Sequence, residues 1–133
     1  MGRTRTPTAA GIVLDTGALI ALERGDKRMI ALLHRALAQG RAFRVPAGVV
    51  GQAWRNGRVQ GTLARFWRSE EVEIVPLDEQ LARSCGELCG AAGASDVIDA
   101  SVVILARERQ DLIVTSDPGD LRRMDPGAQI ITL

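Results

Sequence analysis

Short apolar runs alternate with helix-length amphipathic stretches from residue 11 onward. That alternation predicts an α/β domain whose mostly parallel sheet carries helices on both faces. Two further observations hold the reading to one domain. The chain has 133 residues, room for one core and hardly two. Its composition, 46% hydrophobic and 25% charged, is that of an ordinary globule, and it contains no internal repeat, low-complexity segment or long linker.

Residues 1–10, polar with Pro7 and three threonines, read as a disordered lead, and the domain is expected over residues 11–133. Residues 11–14 form a short buried strand that ends in Asp15. Residues 16–24 and 27–39 read as two helices, broken by Gly25-Asp26. Residues 42–45 are a second strand closed by Pro46. In residues 47–56, Val49, Val50, Ala53 and Trp54 share one helical face, and residues 59–68 stack Leu63, Phe66 and Trp67 at helical spacing. Residues 71–75 alternate polar and apolar, as a half-buried or edge strand does. Residues 78–89 read as a helix stopped by Gly90, and residues 96–107, apolar nearly all round, as a central helix. A strand over 111–115, a short helix over 120–124 and a strand over 129–133 complete the alternation.

Net charge is only +1, yet the two signs are segregated. Residues 1–68 hold 12 basic groups and three acids, whereas residues 69–133 hold five basic groups and 13 acids. Sixteen of the 17 basic residues are arginine, whose planar fork suits bidentate contact with phosphate. A basic half opposite an acidic one suits a metal-dependent enzyme acting on a polyanion, with arginines holding phosphates and carboxylates holding cations.

Several classes are excluded. The longest apolar runs, near Ile12–Leu14 and 102–106, are too short to span a bilayer. Asp15 interrupts what would be the core of a signal peptide, so the expected location is the cytoplasm. Cys85 and Cys89 stand four apart in a helix with no second pair, which reads as half-buried free thiols rather than a redox or zinc motif. The single histidine, His34, leaves no partner for Ser-His or Cys-His catalysis. The only lysine, Lys27, follows Asp26, so there is no Walker A loop, and no G-x-G-x-x-G follows a strand.

The acids fall where open α/β sheets bind ligands, outside the carboxyl ends of the strands. Asp15 follows the first strand, Asp117 follows the strand ending at Thr115, and Asp120 lies three residues further on. Asp96 and Asp99 open the central helix one turn apart. Carboxylates brought together repel unless a cation neutralises them, and an all-oxygen donor set selects Mg²⁺ or Mn²⁺. Each acid also has a purely structural use. Asp15 and Asp96 suit helix N-caps, Asp99 a capping box, and Asp117-Pro118-Gly119 a turn.

The run Leu14-Asp15-Thr16-Gly17-Ala18-Leu19-Ile20 resembles the opening motif of PIN domains. Asp99-Ala100 with Ala106, followed by Leu112-Ile113-Val114-Thr115-Ser116-Asp117, is similar to that family's later signature in order and spacing. In size and helical insertions the chain resembles VapC-type toxins of bacterial toxin–antitoxin pairs. The resemblance implies a three-layer α/β/α sandwich, Mg²⁺- or Mn²⁺-dependent endoribonuclease activity, a homodimer and a cognate antitoxin that covers the site. It implies Asp15, Asp99 and Asp117 as catalytic metal-site acids and Asp120 as an additional one. Thr16 and Thr115 match hydroxyl positions that orient a carboxylate. At one position the chain departs. Family members usually carry Glu in the helix after the second strand, and here Gln52 stands there, a neutral amide in place of a bidentate carboxylate. Lower metal affinity is expected, with Asp96 the candidate to restore the charge.

The expected activity is therefore hydrolysis of RNA phosphodiester bonds at Asp15, Asp99 and Asp117. Asp96 or Asp120 would orient water or a second ion, and Arg55, Arg58, Arg65 and Arg68, on one side of the third and fourth helices, would bind flanking phosphates. The alternative is a PIN-like module that binds RNA or antitoxin without cutting. Trp54 and Trp67 read as core residues, or as anchors of a dimer or antitoxin groove.

Overall fold

The computed structural model describes residues 10–133, so the disordered lead expected over residues 1–10 falls, up to residue 9, outside the described residues. Five strands are present among them: β1 (Ile12–Leu14), β2 (Phe43–Pro46), β3 (Val72–Val75), β4 (Leu112–Thr115) and β5 (Ile130–Thr132). Four helices lie between β1 and β3: α1 (Thr16–Glu23), α2 (Lys27–Ala38), α3 (Ala47–Ala53) and α4 (Gly61–Trp67). Helices α5 (Glu79–Ala92) and α6 (Val97–Arg109) join β3 to β4, and α7 (Gly119–Met124) joins β4 to β5.

All strand pairs are parallel, in the order β3-β2-β1-β4-β5. The chain steps from β1 outward to β3, returns across the sheet through α5 and α6 to β4, and then steps the other way to β5. Right-handed crossovers therefore place α1–α4 over one face and α5–α7 over the other, the α/β/α sandwich that was expected. Between β1 and β4 the stepping direction reverses. Ligands of open α/β sheets bind at such a switch point, beyond the carboxyl ends.

Burial follows from that layering. β1, β2 and the last three residues of β4 are buried, as parallel strands covered on both faces must be, and so is most of α6, from Ala100 to Ala106 apart from Ile104. β3 is an edge strand and stays partly exposed. Arg44 lies within β2 and is nonetheless buried. Its guanidinium donates to Leu105 O at 3.2 Å and to Glu108 Oε1 at 3.0 Å, with Glu73 at 3.6 Å.

Element ends depart from the sequence reading where side chains or glycines act against local pattern. α3 stops at Ala53 rather than 56, because the Gln60 side chain takes over the next backbone groups. Its Oε1 accepts from the N–H of Arg55 and Asn56, each at 2.7 Å, and its Nε2 donates to Ala53 O at 2.9 Å. Gly90 does not stop α5. The helix runs to Ala92 and ends at Gly93, which takes the left-handed φ of 66° that a C-terminal stop requires. α6 reaches Arg109, with Gln110 in the left-handed region at φ 56°. Cys85 and Cys89 are free thiols, buried against the core rather than half-buried.

Candidate active site

The register of β1 against β4 pairs Leu14 with Val114, so the next residues, Asp15 and Thr115, stand side by side at the switch point. Asp15 caps α1, its Oδ1 accepting from the N–H of Ala18 at 3.0 Å. Its Oδ2 accepts from the Thr115 hydroxyl, and Thr115 Oγ1 in turn accepts from the N–H of Asp117 at 2.9 Å. One hydroxyl thus links the two strand-end acids. Gly17 lets Ser116 pack close, since a Cβ at this position would force the Ser116 hydroxyl to turn away. This tight passage makes Gly17 and Ser116 part of the site's frame. Only the glycine of the Asp-Thr-Gly run hints at it in the sequence.

Asp96 caps α6, its Oδ1 accepting from Ile98 N at 2.9 Å and Asp99 N at 3.0 Å. The structural uses foreseen for Asp15 and Asp96 are therefore real, and they do not displace the electrostatic one. Asp99 is half-buried in the first turn of α6, and its pKa is pushed up to about 6. Burial contributes most, followed by the charges of Asp96, Asp120, Asp15 and Asp117. Burial also raises the Asp15 carboxyl, against hydrogen bonds from Thr115, Ala18 and Gly17 that favour its ionised form, and Asp117 adds to the rise. The fold thus gathers all five acids singled out from the sequence on one rim. Asp96, Asp99 and Asp120 line a cavity of about 280 Å³ together with Arg123, a nearby cation that the sequence reading missed.

This donor set suits a hard divalent cation. It is all oxygen, carries more negative charge than the protein neutralises, and includes a carboxyl whose ionisation is already strained by its neighbours. Among the described residues, no three Asp, Glu, His or Cys side chains form a group tight enough to enclose an ion as they lie. The fit is one of chemistry, to be completed by water or side-chain rotation.

Gln52 lies in the last turn of α3 at the same rim, where its Oε1 accepts from the Thr16 hydroxyl. The four arginines divide. Arg55 and Arg58 belong to the loop after α3, not to a helical face, because α3 ends early. Arg55 Nη1 is turned back onto Gly51 O at 2.7 Å and Trp54 O at 3.0 Å. Arg65 borders an apolar groove formed by Leu22, Leu33, Leu37, Phe43 and Phe66, while Arg68 follows α4 and is exposed. Trp54 and Trp67 are half-buried. Trp67 meets Phe66 edge-on at 5.8 Å, and the Trp54 ring covers Gly57 so closely that a Cβ there would lie 2.8 Å from it.

No family model and no curated protein matches the chain. Solved structures do. The DNA-bound VapBC complex from Salmonella typhimurium is similar over 93% of this chain and 98% of its own, at a TM-score of 0.67 and 16% identity. VapC20 of Mycobacterium tuberculosis, described as a toxin that cleaves the sarcin-ricin loop, aligns over 81% of this chain and 91% of its own, at 0.64 and 18%. VapBC-5 from the same organism aligns over 94% and 100%, at 0.56 and 22%. The chain thus has the fold of these VapC and VapBC structures, the PIN-domain fold.

Proposed function

We propose that the protein is a metal-dependent endoribonuclease toxin of the VapC type, restrained by a cognate antitoxin. The observation that carries this reading is the convergence of five carboxylates at the switch point, with Asp99 raised to about 6 by burial and by the other four. The likeness to a toxin described as cleaving the sarcin-ricin loop, and to VapBC complexes, supports both the substrate and the partner. Asp15, Asp99 and Asp117 would hold Mg²⁺ or Mn²⁺, with Asp96 and Asp120 completing the charge. When bound, such an ion supplies an acidified water and neutralises charge that develops on the phosphate.

The chain's own residues do the rest. Thr115 holds Asp15 and Asp117 in a fixed relation through its single hydroxyl. Arg58 and Arg68, both exposed, bind phosphates that flank the cut; Arg65 does so from the lip of its groove. Arg55 serves the end of α3 first and contributes least to RNA. We further propose that the toxin works in the cytoplasm as a homodimer; no single helix among the described residues is long and apolar enough to cross a membrane.

The test is incubation of a total RNA pool with the antitoxin-free protein in Mg²⁺, in Mn²⁺ and in EDTA. Discrete fragments that need metal are expected. A folded protein that cuts nothing under any metal would leave only a binding module.

A further inference from the structure

Gln52 brings a neutral amide to a rim of carboxylates, and that amide is already half committed. The Thr16 hydroxyl donates to its Oε1, and Thr16 is itself fixed at the start of α1 beside Asp15. α3 is pressed close to the start of α6. A Cβ at Gly48, one turn before Gln52, would come within 3.0 Å of Ile98, the neighbour of Asp99. With its carbonyl engaged, the amide keeps two N–H donors, and Nε2 has no partner among the described residues. That donor pair opens to solvent at the rim, within reach of a bound acceptor.

We propose that Gln52 contacts the substrate, its Nε2 donating to a non-bridging phosphate oxygen of the bound RNA strand, and that it is not a metal ligand. A carboxylate at this position would add a further negative charge to a rim whose charges already oppose one another, and would repel the phosphate. The neutral amide attracts it. Thr16 is then a positioning residue, turning the amide so that nitrogen rather than oxygen faces outward. The inference rests on the nuclease reading and adds to it a substrate contact on the α3 side of the site.

The test reads the side-chain amide directly. In ¹⁵N-labelled Asp99→Asn protein, which should bind without cutting, the Gln52 NH₂ pair is assigned by its loss in the added Gln52→Glu change. It is then followed while a single-stranded RNA oligonucleotide is added. The pair is expected to shift along with the Nε–H signals of Arg58 and Arg68. In the otherwise unaltered protein, Gln52→Glu should raise KM about tenfold or more, the loss of one hydrogen bond to a charged acceptor. Thr16→Val should reproduce part of that loss and Thr16→Ser should restore it, with unfolding midpoints unchanged. Arginine signals that move while the Gln52 pair stays still would overturn the inference and leave the nuclease intact, as would a Gln52→Glu protein that cuts faster than the parent. If no signal moves and the parent protein cuts no RNA, the nuclease reading itself has failed, and this contact fails with it.

Discussion

Two buried aspartates stand at opposite ends of the same pair of strands. Asp15 closes β1 at the carboxyl end, 9% exposed, and Asp111 precedes β4 at the amino end, 6% exposed. Both carboxylate oxygens of Asp15 are satisfied, one accepting from Ala18 N and the other from the Thr115 hydroxyl. Asp111 is less well served. Its Oδ1 accepts from Gly11 N at 3.0 Å, tying the entrance of β1 to β4, and its Oδ2 has no partner among the described residues. Judged by burial and unmet hydrogen bonds alone, Asp111 would look like the more unusual group. The company each acid keeps reverses that ranking. Asp111 borders an open cavity of about 600 Å³ whose nearby charges, Arg107 and Asp125, pair with each other at 3.0 Å. Asp15 shares its rim with Asp117 and Asp99, and among the described residues no arginine or lysine forms an ion pair with any of the three. A single buried acid is a joint of the fold; several acids forced together oppose one another's ionisation, which a bound cation would relieve.

Breaking the crowded end should have the largest effect. Asp15→Asn and Asp117→Asn are each expected to lower RNA cleavage at least about a hundredfold, and to abolish growth arrest in cells that express the protein without its antitoxin. Circular dichroism and antitoxin binding should stay unchanged, because asparagine can still cap α1.

At the other rim the effect should be structural. Asp111→Ala removes the tether to Gly11, and a loss of about 1–3 kcal/mol of stability is expected in denaturant unfolding, with cleavage per folded molecule preserved. A nuclease crippled by Asp111→Ala at unchanged stability would break the comparison.

What the sequence made legible follows the same division. Asp15, Asp96, Asp99, Asp117 and Asp120 could be placed because each sits at a strand end or helix start, and those positions are local. The tether of Asp111 could not be foreseen, since its partner Gly11 lies 100 residues away and only the β1–β4 register brings them together. The side chain of Gln52 could be assigned to a helix face but not to Thr16, for the same reason. Helix ends failed where a side chain competed for backbone groups, as Gln60 does after Ala53, or where a glycine was tolerated on an open surface. Gly86 and Gly90 have nothing near their Cα positions for a side chain to meet, so α5 passes both and stops only where φ turns positive.

A smaller effect sharpens the electrostatic side. The Asp99 carboxyl sits at about 6 in the folded protein, above its ordinary value of 3.8. Its ionisation therefore opposes folding. The folded state has its full advantage below about pH 3.8 and loses it as pH rises through about 6. In EDTA at pH 7.5, by the linkage principle and after allowing for solvent screening, Asp99→Asn should gain up to about 1 kcal/mol, a few degrees in Tm. Near pH 4 the gain should vanish. Equal Tm at both pH values would show that the rim is not crowded.

The central claim is that crowding of carboxylates, and not burial of one, makes the site. It is tested most directly by measuring single-turnover cleavage of one RNA in Mg²⁺ by the parent protein, Asp99→Asn and Asp111→Asn side by side. The account predicts that Asp99→Asn loses cleavage at least about a hundredfold while Asp111→Asn stays within about twofold of the parent. Equal losses in the two variants, or a fully active Asp99→Asn, would contradict it.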